Sequence, residues 1–319
     1  MTANRTRLKQ LSGTSGSTKT SLYNRIKECR YLYLMLFPFI LWFVVFAYKP
    51  MYGLLIAFKE YEPYKGVMGS DWVGLENFRL FFTGPYFGRT FKNTIVINLY
   101  SLLFSFPAPV ILAIMLNEVK QRALKKTIQT ITYLPYFISI VVIAGMVSNF
   151  LAPEHGLLNL IIERFGGEKT YFLTRPEYFR TIFITMNIWK DTGFNAIVYL
   201  AALSSIDAEL YEAVRIDGAG KLRQLWHVTL PGILSTMVIM FIMRVGQILE
   251  VGHEAILLLY QSAIYETADV ISTYVYRMGI LGDQQGLAAA VGLFNSVVSL
   301  ALVMIVNRIS RHVSEVSLW

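Results

Sequence analysis

The stretch YEAVRIDGAGKLRQLWHVTLPGI, from Tyr211 to Ile233, decides how the rest of the sequence is interpreted. Its centre, Gly218-Ala219-Gly220-Lys221, looks like the end of a phosphate-binding loop. Such a loop needs a glycine five residues before its second glycine, and a serine or threonine directly after the lysine. Arg215 and Leu222 stand at those two positions. The stretch therefore does not fit an ATP-binding loop, and its role must follow from its surroundings.

The composition of the chain is that of a membrane protein. Of its 319 residues 55% are apolar and 16% are charged, with a mean hydropathy of +0.48, whereas soluble domains carry about a quarter charged residues. The single cysteine, Cys29, excludes a disulfide within the chain and a cysteine metal cluster. The pair His253-Glu254 lacks the second histidine of a zinc-binding H-E-x-x-H motif, so no metal site is expected.

Six segments are long and apolar enough to cross a membrane as helices, because lipid offers the backbone no hydrogen-bond partners. They predict an all-α polytopic membrane protein, and no cleavage site follows the first of them, which indicates a retained anchor. Pro107, Pro109 and Pro135 lie inside these segments and predict kinks. The six predicted spans are 31–48, 93–117, 128–151, 181–205, 232–250 and 286–306.

The distribution of basic residues predicts that both termini are cytoplasmic. Residues 1–30 contain seven Lys or Arg and one acidic residue, and residues 118–127 contain four basic residues and one acidic one. The segment 251–285 has one arginine against four acidic residues, which is typical of an external loop. The net charge of +8 thus reflects topology, and no nucleic-acid partner is expected. The predicted divisions are a basic cytoplasmic tail (1–30), a transmembrane domain (31–306) and a cytoplasmic C-terminal tail (307–319).

The segment 207–231 falls between the fourth and fifth spans, on the cytoplasmic side. Asp207 is placed to cap a first helix, the glycines break that helix, and a second short helix over 221–228 is expected to end at Pro231. We call this segment the bracket. An amphipathic bracket either rests on lipid headgroups or docks into a groove of a cytoplasmic partner.

The bracket also resembles a known motif. Glu212-Ala213-Val214, Gly218 and Val228-Thr229-Leu230-Pro231 are similar to the EAA loop of ABC importer permeases, E-A-A-x3-G-x9-I-x-L-P, with valine in place of one alanine and of the isoleucine. Further stretches resemble LplB-type permeases of the carbohydrate-uptake group, including those for polysaccharide and alginate oligosaccharides. These further stretches of the sequence are YKPMYGLLIAFKEY (48–61), WVGLENFRLFF (72–82), TYLPYFIS (132–139) and VGLFNSVVSLALVMIVNRISRHVSEVSLW (291–319).

The resemblance implies a type I ABC importer transmembrane domain in the bacterial cytoplasmic (inner) membrane. It also implies a heterodimer with a second permease subunit, two ATPase subunits, and an extracytoplasmic solute-binding protein. This chain would then be a transport subunit and not an enzyme: it would have no catalytic residue and no cofactor, and ATP and Mg²⁺ would be bound by the partner ATPase. The residues that the resemblance assigns to ATPase coupling are Glu212, Ala213, Val214, Asp217, Gly218, Gly220, Leu230 and Pro231.

Polar residues inside the spans predict a substrate path, because such residues are costly in a membrane and are often functional. Arg244 suits a carboxylate, such as that of a uronic-acid oligosaccharide. Lys190 and Asp191 are adjacent and point about 100° apart on a helix, so they are not expected to neutralise each other. The alternative for each residue is a hydrogen bond between helices. The candidate path residues are Asn187, Trp189, Lys190, Asn195, Arg244, Gln247 and Asn295.

The function that these observations favour is import of an oligosaccharide, with a slight preference for an acidic one such as an alginate or pectin fragment. The alternative is a secondary transporter or channel that works without ATP. That alternative predicts internal repeats with broken helices, and it leaves the bracket unexplained. An intramembrane enzyme would need paired catalytic groups at membrane depth, and Lys190 with Asp191 matches no catalytic pattern.

Overall fold

The computed structural model describes residues 29–313 and 317–318, and these are largely helical. The chain separates into two units, Met1–Leu54 and Leu55–Trp319. In the first unit, helix α1 (Arg30–Phe43) continues through a π-helical turn into a 3₁₀ helix that begins at Lys49. None of the residues of α1 is buried, as expected for a helix that faces lipid. The basic tail predicted for 1–30 lies, up to residue 28, outside the described residues.

The second unit contains the remaining helices and one small sheet. Strands β1 (Lys59–Glu60) and β2 (Asp71–Trp72) pair antiparallel, with Lys59 opposite Trp72. This hairpin and two short helices occupy residues 59–83. The helices are α2 (Gly66–Gly69), α3 (Glu76–Thr83), α4 (Phe87–Tyr100), α5 (Pro107–Glu118), α6 (Arg122–Tyr133), α7 (Ile140–Phe150), α8 (Leu157–Arg164), α9 (Pro176–Ser204), α10 (Ala208–Ile216), α11 (Lys221–Gln224), α12 (Leu230–Gly246), α13 (His253–Leu259), α14 (Tyr265–Ala268), α15 (Ile271–Tyr276) and α16 (Gln285–Val313).

Four helical runs of the described chain are long and apolar enough to cross a membrane. A fifth span results if a bent pair, Arg122–Phe137 with Ile140–Phe150, counts as one. The predicted fourth span corresponds to α9, a continuous helix of 29 residues that is too polar to belong to this set. The four runs are Arg30–Phe58, Phe87–Glu118, Lys221–Gly246 and Gln285–His312.

The predicted third span, 128–151, is not one continuous helix. Its two halves meet at an angle of 101°. Pro135 lies in a 3₁₀ turn, Leu134–Phe137, and cannot donate a backbone hydrogen bond. Ser139 then starts a new helix, because its side chain accepts a hydrogen bond from the Val142 N–H at 3.4 Å. The proline therefore produces a break with a new helix start, rather than a kink.

The bracket also differs from the prediction at Pro231, which does not end a helix. Helical structure runs without interruption from Lys221 to Gly246, through a π-helical turn at Leu225–Thr229. In this wider turn the Leu230 N–H bonds to the Leu225 carbonyl, five residues earlier. The widening relieves the clash that a proline makes with the carbonyl four residues before it. Helix α16 likewise continues past the predicted end at residue 306.

The segment 251–285 is not a simple loop. It folds into short helices, and Ala255, Ile256 and Leu259 of α13 are buried against Ile143 of α7 and Phe183 of α9. A second apolar cluster joins α5, α9 and α12, and a third joins α3, α15 and α16. Helix α9 is thus shared by two of the three clusters and positions the side chains of the candidate site.

Candidate functional site: a polar cavity and the bracket

A cavity of about 500 Å³ lies where α9 and α12 face α4, α5 and the π-helical turn Ser101–Ser105 between them. Part of its lining is apolar and includes Phe183, Tyr199 and Met240. Most of its other lining is polar, although the surrounding helices are apolar. The polar lining residues are Asn98, Ser101, Ser105, Asn187, Asp191, Thr192, Asn195, Arg244, Gln247 and Glu250.

Arg244 is the cation that lines this cavity, and the carboxylates of Asp191 and Glu250 line it as well. Its Nη2 donates to Ser101 Oγ at 2.6 Å, and it forms no ion pair with any described residue. Two neighbouring hydroxyls, Ser105 Oγ and Thr192 Oγ1, are buried without a hydrogen-bond partner in the described structure. Buried polar atoms usually have partners. The cavity therefore holds unused hydrogen-bonding groups that suit a polar ligand.

Four of the seven predicted path residues line this cavity: Asn187, Asn195, Arg244 and Gln247. The other three are not among its lining residues. Trp189 is 48% exposed on another face of α9. Asn295 lies on α16, where its Oδ1 is buried without a partner among the described residues. Lys190 points away and contacts the Tyr136 ring, 4.8 Å from Nζ to the ring centroid.

The expectation that Lys190 and Asp191 do not pair is wrong. Lys190 Nζ lies 3.0 Å from Asp191 Oδ1. The flexible four-carbon stem of lysine bridges the angle between adjacent helical positions. Lys190 therefore offsets part of the charge of Asp191, which itself lines the cavity.

Sequence reasoning missed Ser101, Ser105 and Thr192. Hydroxyl residues are common in membrane helices, where they usually bond to their own backbone, so they stand out little. One signal was available: Asn98, Ser101 and Ser105 follow one another at intervals of three and four residues, and this spacing is typical of one helix face.

The bracket begins and ends with defined caps. Asp207 Oδ1 accepts the Glu209 N–H at 3.0 Å, as the sequence predicts. At the other end of α10 the Gly218 N–H bonds to Arg215 O and the Ala219 N–H bonds to Val214 O, at 3.0 and 3.1 Å. This is a Schellman turn, and it requires the positive φ of +75° at Gly218. Gly220 has a φ of −68° and serves as the cap of α11.

Side-chain contacts fix the bracket while leaving apolar side chains in the open. Gln224 Nε2 donates to Ala219 O at 2.9 Å, and Lys221 pairs with Glu118 at the end of α5. Ile216, Leu222 and Trp226 are 86, 75 and 67% exposed. Exposed apolar groups of this size next to charges mark an interaction surface.

The other predicted coupling residues lie around this exposed surface. Glu212 forms no hydrogen bond or ion pair with any described residue. Val214 and Leu230 are half-buried, and the remaining members are exposed: Glu212, Ala213, Asp217, Gly218, Gly220 and Pro231.

A second polar cluster surrounds Asp269, whose side chain is fully buried. Arg89 Nη2 donates to its Oδ2 at 2.7 Å, and Arg277 donates to both oxygens at 3.0 and 3.1 Å. Tyr260 and Thr273 hydroxyls each donate to Oδ1 at 3.0 Å. Burial alone would raise the pKa of Asp269, but the hydrogen bonds from Arg277 and Arg89 outweigh it and lower that pKa.

The same cluster shifts the pKa of its other members. Burial, with the negative charge of Asp269, raises the pKa of Tyr260. Burial alone would lower the pKa of Arg277, and the bonds to Asp269 raise it instead. The sequence analysis counted Asp269 and Arg277 only as loop charges. No group of three or more His, Cys, Asp or Glu that could hold a metal occurs in the described part of the chain.

Several apolar membrane-length helices, a polar cavity and an exposed bracket indicate a membrane transport protein. Residues 105–315 match the family described as the binding-protein-dependent transport system inner membrane component, and the chain belongs to this family. It is a multi-pass membrane protein and a permease of the sugar-importing ABC group.

The particular relatives are sugar permeases. The chain is 43% identical over 295 residues to the polygalacturonan/rhamnogalacturonan transport system permease protein YteP of Bacillus subtilis (strain 168), with 92% of each chain covered. It is 42% identical to protein LplB of the same organism, again with 92% of each covered. It also matches, at a TM-score of 0.87 and 46% identity over 93% of this chain and 99% of the other, a bacterial alginate ABC transporter solved in complex with an alginate pentasaccharide-bound periplasmic protein.

Proposed function

We propose that this permease, paired with a second permease subunit, forms the path by which an acidic oligosaccharide enters the cell, such as a uronate fragment of alginate or pectin. The observation that carries the proposal is Arg244, an arginine in the polar cavity without a carboxylate partner among the described residues. A guanidinium offers a planar fork of donors that matches a carboxylate. The names of the pectin-related and alginate relatives support the same class of substrate.

The chain is proposed to span the membrane six times with both termini in the cytoplasm. The bent pair α6 and α7 then supplies the third span, and α9 the fourth. The polarity of α9 has a physical reason in this arrangement, because Asn187, Asp191 and Asn195 face the cavity and not lipid. The orientation rests on the lysines and arginines that cluster in residues 1–30 and 118–127.

The bracket is proposed to dock in a groove of a partner ATPase, which binds the ATP and Mg²⁺, while this chain binds no cofactor. Ile216, Leu222 and Trp226 would enter the groove, and Glu212 would meet a basic residue there. The Schellman turn at Gly218 makes the bracket a stiff lever. The full set proposed for coupling is Glu212, Ala213, Val214, Asp217, Gly218, Gly220, Leu230 and Pro231.

A direct mechanical route connects this bracket to the cavity. Lys221 and Arg244 lie on one uninterrupted helix, 23 residues and therefore about 35 Å apart. A displacement of the bracket by the ATPase would move Arg244 along with the helix. ATP hydrolysis in a partner would in this way change the position of the cation that holds the substrate.

The remaining partners follow from the transport role. An extracytoplasmic solute-binding protein would deliver the oligosaccharide, and a second permease subunit would complete the walls of the path. The solved alginate transporter with its pentasaccharide-bound periplasmic protein supports this assembly.

The proposal is tested by exchanging Arg244 in the complete transporter reconstituted in proteoliposomes. Arg244→Gln removes the charge and is expected to lower uptake of a uronate oligosaccharide at least tenfold, because hydrogen bonds to charged groups contribute about 1.5–3 kcal/mol. Uptake of a neutral oligosaccharide of equal length, where it occurs, should change little. Met243→Leu, at a neighbouring lining position, is the matched control. An equal loss for charged and neutral sugars would contradict the assignment.

A further inference from the structure

A second cavity, of about 440 Å³, lies beside the first and takes no part in the transport mechanism described above. One wall is the first three turns of α9, from Glu177 to Ile188. The other wall carries Tyr100, the last residue of α4, and Phe104 in the following π-helical turn. Ile188 lines both cavities, so the two share a wall.

The two cavities follow one another along a single face of α9. Glu177, Thr181, Ile184 and Ile188 in the second cavity are spaced by four, three and four residues. The same spacing continues through Asp191 and Asn195, which line the first cavity. Residues three or four apart lie on the same side of a helix. One stripe of α9, about 27 Å long from residue 177 to residue 195, therefore passes from the second cavity into the first.

The second cavity presents hydrogen-bonding groups that the described structure does not use. The Glu177 carboxylate and the hydroxyls of Thr181, Thr185 and Tyr100 belong to exposed residues and have no hydrogen-bond partner among the described residues. Several threonines in other helices bond instead to their own backbone. Thr90, for example, bonds back to Tyr86 O at 3.0 Å, and Thr94 bonds to Thr90 O at 2.8 Å.

Arg180 adds a cation with unused donors. Its Nη2 donates to Asn93 Oδ1 at 3.0 Å, whereas its Nε is buried without a partner in the described structure. Glu177 and Arg180 lie at the start of α9, just before the predicted fourth span, so their charges are accessible there to a polar ligand.

The aromatic side of the cavity complements these polar groups. Tyr100 and Phe104 are 42% and 53% exposed, and their rings lie 6.3 Å apart at an angle of 35°. They offer apolar ring faces opposite hydroxyl, carboxylate and guanidinium groups. A sugar ring matches this combination, because it has an apolar C–H face and an edge of hydroxyl groups.

We propose that the second cavity is an additional sugar-binding subsite, which holds a further unit of the oligosaccharide that occupies the first cavity. The proposal rests on the proposed function. Tyr100 and Phe104 stack against the sugar ring, Thr181 and Thr185 bond to its hydroxyls, and Arg180 binds its carboxylate. The permease then selects for chain length, because only an oligosaccharide of several units reaches both cavities along α9.

The test compares two lengths of the same uronate oligosaccharide, with two and with five units, in the complete reconstituted transporter. The variant Thr181→Val/Thr185→Val keeps the shape of both side chains and removes both hydroxyls. We expect a tenfold increase in KM for the longer oligosaccharide and less than a twofold change for the shorter one. Tyr100→Ala should act in the same direction. Leu99→Ala is the control, because Leu99 directly precedes Tyr100, is exposed and is not among the lining residues.

Three results would overturn the subsite. Unchanged uptake of both lengths shows that the hydroxyls bind no substrate. An equal loss for both lengths shows a structural role. A loss that depends on the lipid composition of the liposomes and not on oligosaccharide length assigns the cavity to a lipid headgroup. Failure of the proposed function is distinguishable from all three, because the unmodified transporter would then move neither length.

Discussion

At the scale of single residues, Gly193 marks the closest approach between two helices. A Cβ atom at this position of α9 would lie 1.9 Å from the Thr132 carbonyl oxygen of α6. The obstacle is backbone and not a flexible side chain, so the helices themselves would have to separate. Gly145 in α7 is also helical, but a Cβ atom there would have no heavy atom of a neighbouring element within 4 Å.

Gly193→Ala is therefore expected to destabilise the permease by about 1–3 kcal/mol or more, the usual cost of overpacking. The expected observation is a clearly lower Tm of the purified complex in detergent. Gly145→Ala, the matched control, should leave Tm nearly unchanged. If both variants melt like the unmodified protein, the close contact between α6 and α9 does not exist.

Substitutions of Gly218 test whether the bracket couples ATP hydrolysis to transport. Its surroundings are open, so Gly218→Ala acts only through the positive φ, at a cost of about 1–2 kcal/mol. We expect transport to fall while the complex continues to hydrolyse ATP, and a larger loss in Gly218→Asp. Gly88→Ala in α4, outside the bracket, is the control, because Gly88 has no positive φ and equally open surroundings. Full transport in both Gly218 variants would contradict the proposal that the bracket transmits motion from the ATPase.

The sequence identifies some site residues and misses others for a physical reason. Arg244, Gln247 and Asn187 are conspicuous, since charged and amide groups are rare in apolar spans. Ser101 and Thr192 are inconspicuous, since small hydroxyls are ordinary there. Asp269 was missed because one of its partners, Arg89, lies 180 residues away in the chain, and local patterns carry no information about such a pair.

At the scale of elements, the Asp269 cluster joins segments that are remote in sequence. Arg89 belongs to α4, Thr273 to α15, and Arg277 to the π-helical turn that follows α15. Asp269→Asn removes the charge that both arginines share and is expected to destabilise the protein by about 3–5 kcal/mol, the usual cost of breaking a buried pair. Asp283→Asn, at an exposed turn position, is the control. The measurement is the free energy of unfolding of both variants. If Asp269→Asn were as stable as Asp283→Asn, the cluster would not contribute to stability.

The same carboxylate predicts a dependence of stability on pH. The pKa of Asp269 in the folded protein lies below its unfolded value of about 3.9. Its contribution is therefore complete above that value and is lost as the pH falls through the folded pKa. The difference in Tm between the unmodified protein and Asp269→Asn should be constant near neutral pH and should narrow below about pH 4. A difference that stays constant well below the unfolded pKa would show that this carboxylate is not responsible.

Two prolines show how far element boundaries follow from sequence. Pro135 and Pro231 each predicted an interruption of helical structure, but only Pro135 produces one. At Pro231 a π-helical turn accommodates the ring, and the helix continues to Gly246. The outcome depends on backbone hydrogen bonds in the preceding turn, and residue types alone do not reveal them. Hydrophobic runs predicted the existence of the helices much better than their junctions.

At the scale of the whole molecule, class and family were predictable from composition and from the bracket motif, and the match over residues 105–315 confirms them. The packing of segment 251–285 was not predictable from the sequence, because its charges and short apolar runs resemble those of an external loop. The buried helices there add to the core that holds α9 in place. The site along α9 is therefore a property of the assembled fold, while the bracket is largely local.

The central claim is that this permease moves an acidic oligosaccharide with energy transmitted from an ATPase through the bracket. The most direct measurement isolates the tagged chain from native membranes with its bound partners, reconstitutes the complex, and follows uptake of a labelled uronate oligosaccharide. We expect an ATPase and a second permease to be retained, and accumulation to require ATP and the loaded solute-binding protein. A chain that is isolated alone and moves the sugar without ATP would contradict this claim.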